Sequence, residues 1–130
     1  MPILDKEMTF IKWSNPTEVV KADLNTLSTT VTHNTQYVQI GSDLRGGSQV
    51  IPFGNDHYIA IVHEVDLFAS EVGRKDAVYR HRFIVWDKDW NIIKVSPQFS
   101  FLNAEIEFAV GMCEYGDDYL MTFLNRLDLV

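Results

Sequence analysis

The sequence has little cysteine and no long apolar run. Cys113 is the only cysteine among 130 residues. One cysteine excludes an intrachain disulfide and a multi-cysteine zinc site, and a small residue in an apolar strand is usually inert packing. No run of about 18 apolar residues occurs, and the first ten residues lack the basic and apolar regions of a signal peptide. We therefore expect a cytoplasmic protein without membrane contact.

Positive charge is also scarce. The 11 Lys and Arg residues face 18 Asp and Glu residues, which gives a formal net charge of -7. A basic surface is what attracts nucleic acid or anionic lipid, so both partner classes are disfavoured. Small neutral or polyhydroxylated ligands, or another protein, remain as partners. With 46% hydrophobic and 22% charged residues, residues 1–130 suit one globular domain.

Phosphate-binding and metal-binding motifs are missing as well. The segment RGGSQ leads into a strand, whereas Walker-type and dinucleotide-binding loops require a helix there. His57, His63 and His81 do not have the spacing of metal ligands. We therefore expect neither a cofactor nor a metal ion.

The sequence does contain many short apolar runs rich in β-branched and aromatic residues, separated by turn clusters such as SNPT, FGND, DKDWN and EYGDD. This pattern predicts an all-β fold, an antiparallel meander of about nine strands. The predicted strands are residues 8–13, 18–24, 28–33, 47–53, 58–65, 79–86, 92–96, 106–113 and 119–124. Residues 67–78 are predicted to form one long charged loop.

A weak internal repeat groups these strands. GGSQVIPFGNDHYIAIVHEV and IEFAVGMCEYGDDYLMTFLN each place a turn between two apolar strands, as in the inner hairpin of a β-propeller blade. YRHRFIVWDKDWNIIKVSPQF supplies an outer hairpin with its turn at residues 87–91. The predicted order is three outer strands, one complete four-stranded blade and two inner strands. This makes roughly two β-propeller blades, too few for a closed ring.

The succession LRGGSQVIP, VHEV, YRHRFIVWD, KVSPQFSF and IEFAVGM resembles the C-terminal part of five-bladed β-propeller proteins related to the family-130 glycoside phosphorylases and hydrolases. The resemblance covers residues 40 to 124 and implies carbohydrate ligands at the mouth of a central channel. The blades expected before residue 8 are missing, and TFLNRLDLV lacks the acidic-then-alanine continuation of the relatives. Because two blades leave open sheet edges, we expect a homo-oligomer.

Candidate ligand-binding residues come from the segments placed innermost and from one turn. Arg45 precedes two glycines that permit close backbone approach, and its guanidinium can hold a phosphate, a carboxylate or vicinal hydroxyls. Trp90 lies in a polar turn, where an exposed indole can stack on a sugar. The candidates are Arg45, His63, Trp90, Glu105 and Glu107.

The segment AEIEFAVG places Glu105 and Glu107 on a small acidic face and Phe108 and Val110 on an apolar face. Glycoside cleavage needs an acid and either a second carboxylate or phosphate. The two glutamates lie roughly 7 Å apart along a strand. A catalytic pair, sugar hydrogen bonding and a solvated role all remain open, so no catalytic residue is assigned.

Strand alternation separates His63 from Glu64, which disfavours a joint catalytic dyad. An unpaired buried charge is costly, so Glu64 is expected to form a buried ion pair with Arg80 or Arg82. A ligand-facing role for His63 or Glu64 is the alternative.

Two functional hypotheses follow. The first is a carbohydrate-recognising partial β-propeller, similar to glycosidases and phosphorylases but not catalytic alone, so enzymatic activity stays open. The second is an all-β self-assembling protein-interaction module without a sugar ligand.

Overall fold

The computed structural model describes residues 6–37, 43–69, 75–102 and 106–125. These ranges contain strands and turns and no helix, so none of them crosses a membrane as a long apolar helix. The strands are β1 (Glu7–Trp13), β2 (Thr17–Asp23), β3 (Thr29–Thr35), β4 (Ile51–Pro52), β5 (His57–Ala69), β6 (Lys75–Asp87), β7 (Ile92–Val95), β8 (Glu107–Tyr115) and β9 (Asp118–Asn125). The prediction of an all-β fold with nine strands is confirmed.

The strands form three antiparallel sheets in chain order. The first sheet has the order β1-β2-β3, the central sheet β4-β5-β6-β7, and the terminal hairpin β8-β9. This division into three, four and two strands agrees with the predicted order of the strands. Whether the sheets are propeller blades remains a prediction.

The central sheet is built on one long hairpin. β5 and β6 each have 13 residues and pair without interruption from His57↔Asp87 to Ala69↔Lys75. The prediction of a long loop is therefore wrong for residues 67–69 and 75–78, and residues 70–74 lie outside the described part of the chain. Backbone pairing does not require apolar side chains, so a charged segment can extend a hairpin beyond the core.

The predicted strand over residues 47–53 is largely irregular, since β4 contains only Ile51 and Pro52. Proline has no N–H to donate to a ladder, which limits pairing at this edge.

One face of the central sheet packs against the first sheet. The buried residues on this face form the first core: Leu44, Ala60, Val62, Ile84, Trp86 and Ile92. Ile11 of β1 and Tyr37 after β3 pack against them. The even-numbered residues of β5 therefore face the first sheet.

The opposite face packs against the terminal hairpin. Ile59, Ile61, Val85, Ala109 and Met112 form this second core. The odd-numbered residues of β5 face the hairpin, as alternation predicts. The central sheet is thus the middle layer of three.

Candidate functional site

A cleft of about 290 Å³ lies between β1 and the segment 46–50 beside β5. Its wall contains Trp13, Trp86 and Trp90, which are all three tryptophans of the sequence. We call it the tryptophan cleft. Its volume is at the small end of the range of roughly 300 to 1,000 Å³ found for small-molecule sites.

Trp13 ends β1 and is the most accessible of the three indoles, at 39% exposure. Its Nε1 donates a hydrogen bond of 2.9 Å to the carbonyl oxygen of Asn15. This bond fixes the ring orientation while part of the ring surface stays open to solvent. Trp13 is not among the ligand-binding residues predicted from the sequence, although its indole, like that of Trp90, can stack on a sugar.

Trp90 is half-buried, although its polar turn predicted an exposed ring. It has a left-handed backbone with φ of 64°, and its ring stacks on Tyr58 with centroids 4.4 Å apart. Thr35 Oγ1 donates a hydrogen bond of 2.7 Å to its carbonyl oxygen. The turn therefore directs the indole onto the sheet, where it forms part of the cleft wall.

Trp86 forms the floor and is 1% exposed. Its Nε1 donates to Thr17 Oγ1 at 2.9 Å, and that hydroxyl donates to the Ser14 carbonyl at 2.7 Å. This buried chain of hydrogen bonds joins the central sheet to the first sheet and holds the two walls of the cleft together.

The glycine pair on the other wall has two different environments. A Cβ on Gly47 would lie 2.5 Å from the Ile61 carbonyl oxygen, whereas a Cβ on Gly46 would meet nothing within 4 Å. Of these two glycines, only Gly47 has to be a glycine for close packing. Its backbone packs against β5 of the protein itself and not against a ligand.

Arg45 precedes the glycine pair, lies opposite His63 and is exposed. Its guanidinium contacts Asp43 at 3.4 Å, with side chains 54% and 68% exposed. Its backbone pairs with His63 in both directions, with N···O distances of 2.8 and 2.9 Å. The guanidinium is accessible to a ligand, as expected for this residue.

Two histidines, His63 of β5 and His81 of β6, lie side by side on the face of the central sheet that is directed toward the hairpin. We call them the polar row. His63 lies opposite His81, while the backbone groups of His63 bond to Arg45 and those of His81 bond to Phe99. The two histidines are therefore a non-hydrogen-bonded pair, in which side chains approach most closely. Nδ1 of His63 and both ring nitrogens of His81 are buried without a hydrogen-bond partner among the described residues.

Aromatic rings surround His63 at the outer part of this row. The His63 ring stacks on Tyr79 with centroids 5.4 Å apart and meets the edge of Phe108 at 6.0 Å. His63 is half-buried, so its ring is enclosed by neighbours and only partly accessible to a ligand.

Glu107 is fully buried beneath the row. Its Oε1 lies 3.7 Å from His81 Nε2, and its two carboxylate oxygens accept hydrogen bonds from the backbone N–H groups of Phe101 and Leu102 at 2.9 and 2.7 Å. The sequence predicts that the Glu107 side of β8 faces a ligand, and the structure shows the opposite orientation of the strand. Glu107 faces the core, while Phe108 on the other face is 39% exposed.

Burial lowers the pKa of both histidines below the ordinary value of 6.5. For His81, desolvation outweighs the opposing effect of the Glu107 carboxylate, and the charge of His63 lowers the pKa further. For His63, desolvation outweighs the opposing effects of the Gly46 backbone and the nearby Asp43 on the pKa, and Arg45 lowers the pKa further. Both rings are therefore neutral near pH 7.

Glu64 pairs with Arg82, one of the two predicted partners. Arg82 Nε lies 2.6 Å from Glu64 Oε1, and Gln98 Nε2 donates to Oε2 at 2.7 Å. The side chains of Arg82 and Glu64 are 22% and 29% exposed. The ion pair is therefore formed as predicted, but the prediction that it is buried is wrong. The pair lies near the rim, where water still reaches both groups.

The predicted site residues divide between the two faces of the central sheet. Arg45, His63 and Glu107 belong to the region facing the hairpin, while Trp90 lines the cleft on the opposite face. Glu105 lies outside the described residues. Cys113, expected to pack in an apolar strand, is exposed. The described residues contain no group of three His, Cys, Asp or Glu side chains arranged to hold a metal ion.

Comparison with known proteins gave no match to this chain among family models, curated proteins or solved structures. The functional interpretation therefore depends on the geometry described above.

Proposed function

We propose that this chain recognises a carbohydrate in the tryptophan cleft. The observation that carries the proposal is the convergence of all three tryptophans on one cleft of about 290 Å³. Indole rings pack on the apolar CH faces of sugars, and a concave aromatic wall with a few polar groups is typical of small-molecule sites.

The polar part of the cleft wall suits an uncharged, hydroxyl-rich ligand. Lys12 and Ser14 come from the first sheet, and Ser48 comes from the opposite wall. The formal net charge of -7 opposes anionic ligands at long range. Arg45 precedes Gly46 of the wall but lies opposite His63 on the face toward the hairpin, so the proposal gives its guanidinium no contact with the sugar.

Recognition without catalysis fits the composition of the cleft. Its described wall contains no Asp or Glu, whereas glycoside cleavage uses a carboxylic acid with a second carboxylate or a phosphate nucleophile. Glu107 belongs to the other face and already accepts two backbone hydrogen bonds. The chain is therefore proposed as a binding protein.

The stacking of three sheets in chain order supports a propeller-like arrangement, with the tryptophan cleft between two adjacent blades. In this arrangement the first sheet is an incomplete blade, the central sheet a complete one and the hairpin the start of a third. A homo-oligomer would supply the missing strands.

The experiment is a screen of neutral mono-, di- and trisaccharides by thermal shift, followed by titration of intrinsic tryptophan fluorescence. Because every tryptophan lines the cleft, a sugar bound there should change the emission. We expect a saturable change with at least one sugar. A panel that leaves both the melting temperature and the emission unchanged at millimolar concentrations would contradict the proposal.

A second candidate function is self-assembly without a sugar, favoured by exposed apolar side chains on both outer layers. Met8 and Val31 of the first sheet are each 52% exposed, and Leu120 and Leu124 of the hairpin are 51% and 65% exposed. Large exposed apolar patches mark interaction surfaces. A stable oligomer combined with a negative sugar screen would favour this candidate.

A further inference from the structure

The outer edge of β9 offers backbone hydrogen-bonding groups that pair with no other strand among the described residues. On the neighbouring strand, Met112 directs both its N–H and its C=O to the side chain of Gln49. Met121 lies opposite Met112. Opposed residues in an antiparallel pair direct their backbone groups either both toward or both away from each other, so Met121 directs its N–H and C=O outward. Tyr119 and Phe123 do the same by two-residue alternation.

The edge strands of the first and central sheets, β1, β3, β4 and β7, are protected in ways that β9 is not. β1 carries Lys12, β4 carries Pro52 and β7 carries Lys94, and charges and proline are common devices against edge-to-edge pairing. β3 is polar apart from Val31. In β9 the only charged residue is Asp118, at its first position. The remaining seven residues, YLMTFLN, favour strand pairing.

We propose that β9 pairs antiparallel with β9 of a second copy of this chain about a two-fold axis, so that two hairpins form one four-stranded sheet. A two-fold contact of this kind uses the same edge on both partners and leaves neither copy of it open. A lone two-stranded hairpin is marginal, and a sheet of three or more strands with an apolar face is stable. The product has four strands, as the central sheet does.

The two-fold axis lies at Met121. Paired residues must project to the same side of the sheet, and the outward-directed Met121 then exchanges both hydrogen bonds with its symmetry mate. Tyr119 pairs with Phe123 of the second copy in the same way. Asp118 lies opposite Leu124 of the second copy, which keeps the two acidic side chains apart.

The test is the solution mass of the full chain, measured by light scattering at about 100 μM and by sedimentation equilibrium. We expect a dimer. In Met121→Pro the mass should fall to that of the monomer with an unchanged circular dichroism spectrum, because this N–H takes no part in the β8–β9 ladder and proline is tolerated at such edge positions. Leu124→Ala, on the exposed face of the same strand, is the matched control: it adds no charge to the edge and should remain dimeric.

A cysteine crosslink keeps the test decisive if the proline variant does not fold. In a Cys113→Ser background, Met121→Cys should form a covalent dimer on mild oxidation, because Cα atoms of a hydrogen-bonded pair lie about 5.5 Å apart, within disulfide range. Tyr115→Cys, exposed at the end of β8, should not. A monomeric wild type, a dimer that survives Met121→Pro, a dimer lost in Leu124→Ala, or equal crosslinking at both cysteines would each overturn the proposal.

Discussion

His81 Nε2 lies 3.7 Å from Glu107 Oε1, and neither side chain is exposed to solvent. The contact joins the central sheet to the terminal hairpin through two ionisable groups that water does not reach. Glu107 also orders residues 101 and 102 by accepting their N–H groups. The pair is therefore a structural link between layers, and several predictions concern it.

Replacing Glu107 should destabilise the fold. Glu107→Ala removes a buried acceptor of two backbone hydrogen bonds, and because each buried N–H left without an acceptor costs about 1 to 3 kcal/mol, we expect a loss of about 2 to 6 kcal/mol in the free energy of unfolding. Glu107→Gln keeps the shape and one acceptor oxygen, so it should lose less. Urea denaturation of both variants measures the difference. A Glu107→Ala variant as stable as wild type would show that the carboxylate is solvated.

The histidine pair should make stability depend on pH. The folded-state pKa values of His63 and His81 lie below 6.5, so the unfolded chain binds more protons just below that pH. The contribution of these residues to stability is therefore complete above pH 6.5 and is lost as pH falls from there toward the folded-state pKa values.

This pH effect can be measured by thermal melts between about pH 5 and pH 8. The melting temperature of wild type should fall on acidification, and His81→Gln should reduce the slope. Asn34→Gln, on β3 in a different sheet, changes no titratable group, is the control and should retain the wild-type slope. Identical slopes in all three proteins would contradict the assignment.

The two adjacent glycines should differ in their tolerance of a methyl group. Gly47→Ala places a Cβ 2.5 Å from the Ile61 carbonyl oxygen, and overpacking of this kind costs about 1 to 3 kcal/mol. Gly46→Ala meets no neighbour, so its effect should stay within about 0.5 kcal/mol. Denaturant midpoints of the two variants provide the comparison, and equal midpoints would refute the close approach at Gly47.

The Thr17 hydroxyl should contribute to stability, because it accepts the hydrogen bond from Trp86 Nε1 beneath the cleft. Thr17→Val keeps the side-chain shape but leaves Trp86 Nε1 without its acceptor, at a cost of about 1 to 3 kcal/mol. Thr17→Ser retains the hydroxyl and should stay closer to wild type. Chemical denaturation followed by fluorescence reports both stability and the Trp86 environment. A valine variant as stable as the serine variant would argue against this hydrogen bond.

Strand positions and the faces of β5 could be predicted because they depend on local alternation. Ile61 and His63 face the hairpin, and Glu64 faces the other way, as the sequence pattern predicts. The orientation of β8 could not be predicted in this way. Alternation identifies two faces without saying which is buried, and the apolar Phe108 face is the natural choice for the core.

Long-range partners decide the orientation of β8. Glu107 is buried because two backbone N–H groups satisfy its carboxylate oxygens and the His81 ring packs beside it, and none of these groups is adjacent in sequence. The tryptophan cleft likewise joins Trp13 to Trp90 across two sheets. The sequence shows which residues are aromatic, but their convergence on one cleft results from the packing of two sheets and cannot be read from the sequence.

The central claim is that the tryptophan cleft binds a neutral sugar, and calorimetric titration of wild type, Trp13→Ala and Tyr115→Ala with a sugar from the screen tests it most directly. Trp13 is 39% exposed in the cleft, and Tyr115 is a 66% exposed aromatic residue in the terminal hairpin. Loss of a stacking ring that contributes about 1.4 kcal/mol or more corresponds to at least a ten-fold rise in Kd. We predict that rise in Trp13→Ala with the affinity of Tyr115→Ala unchanged. Equal affinity in all three proteins would contradict the account.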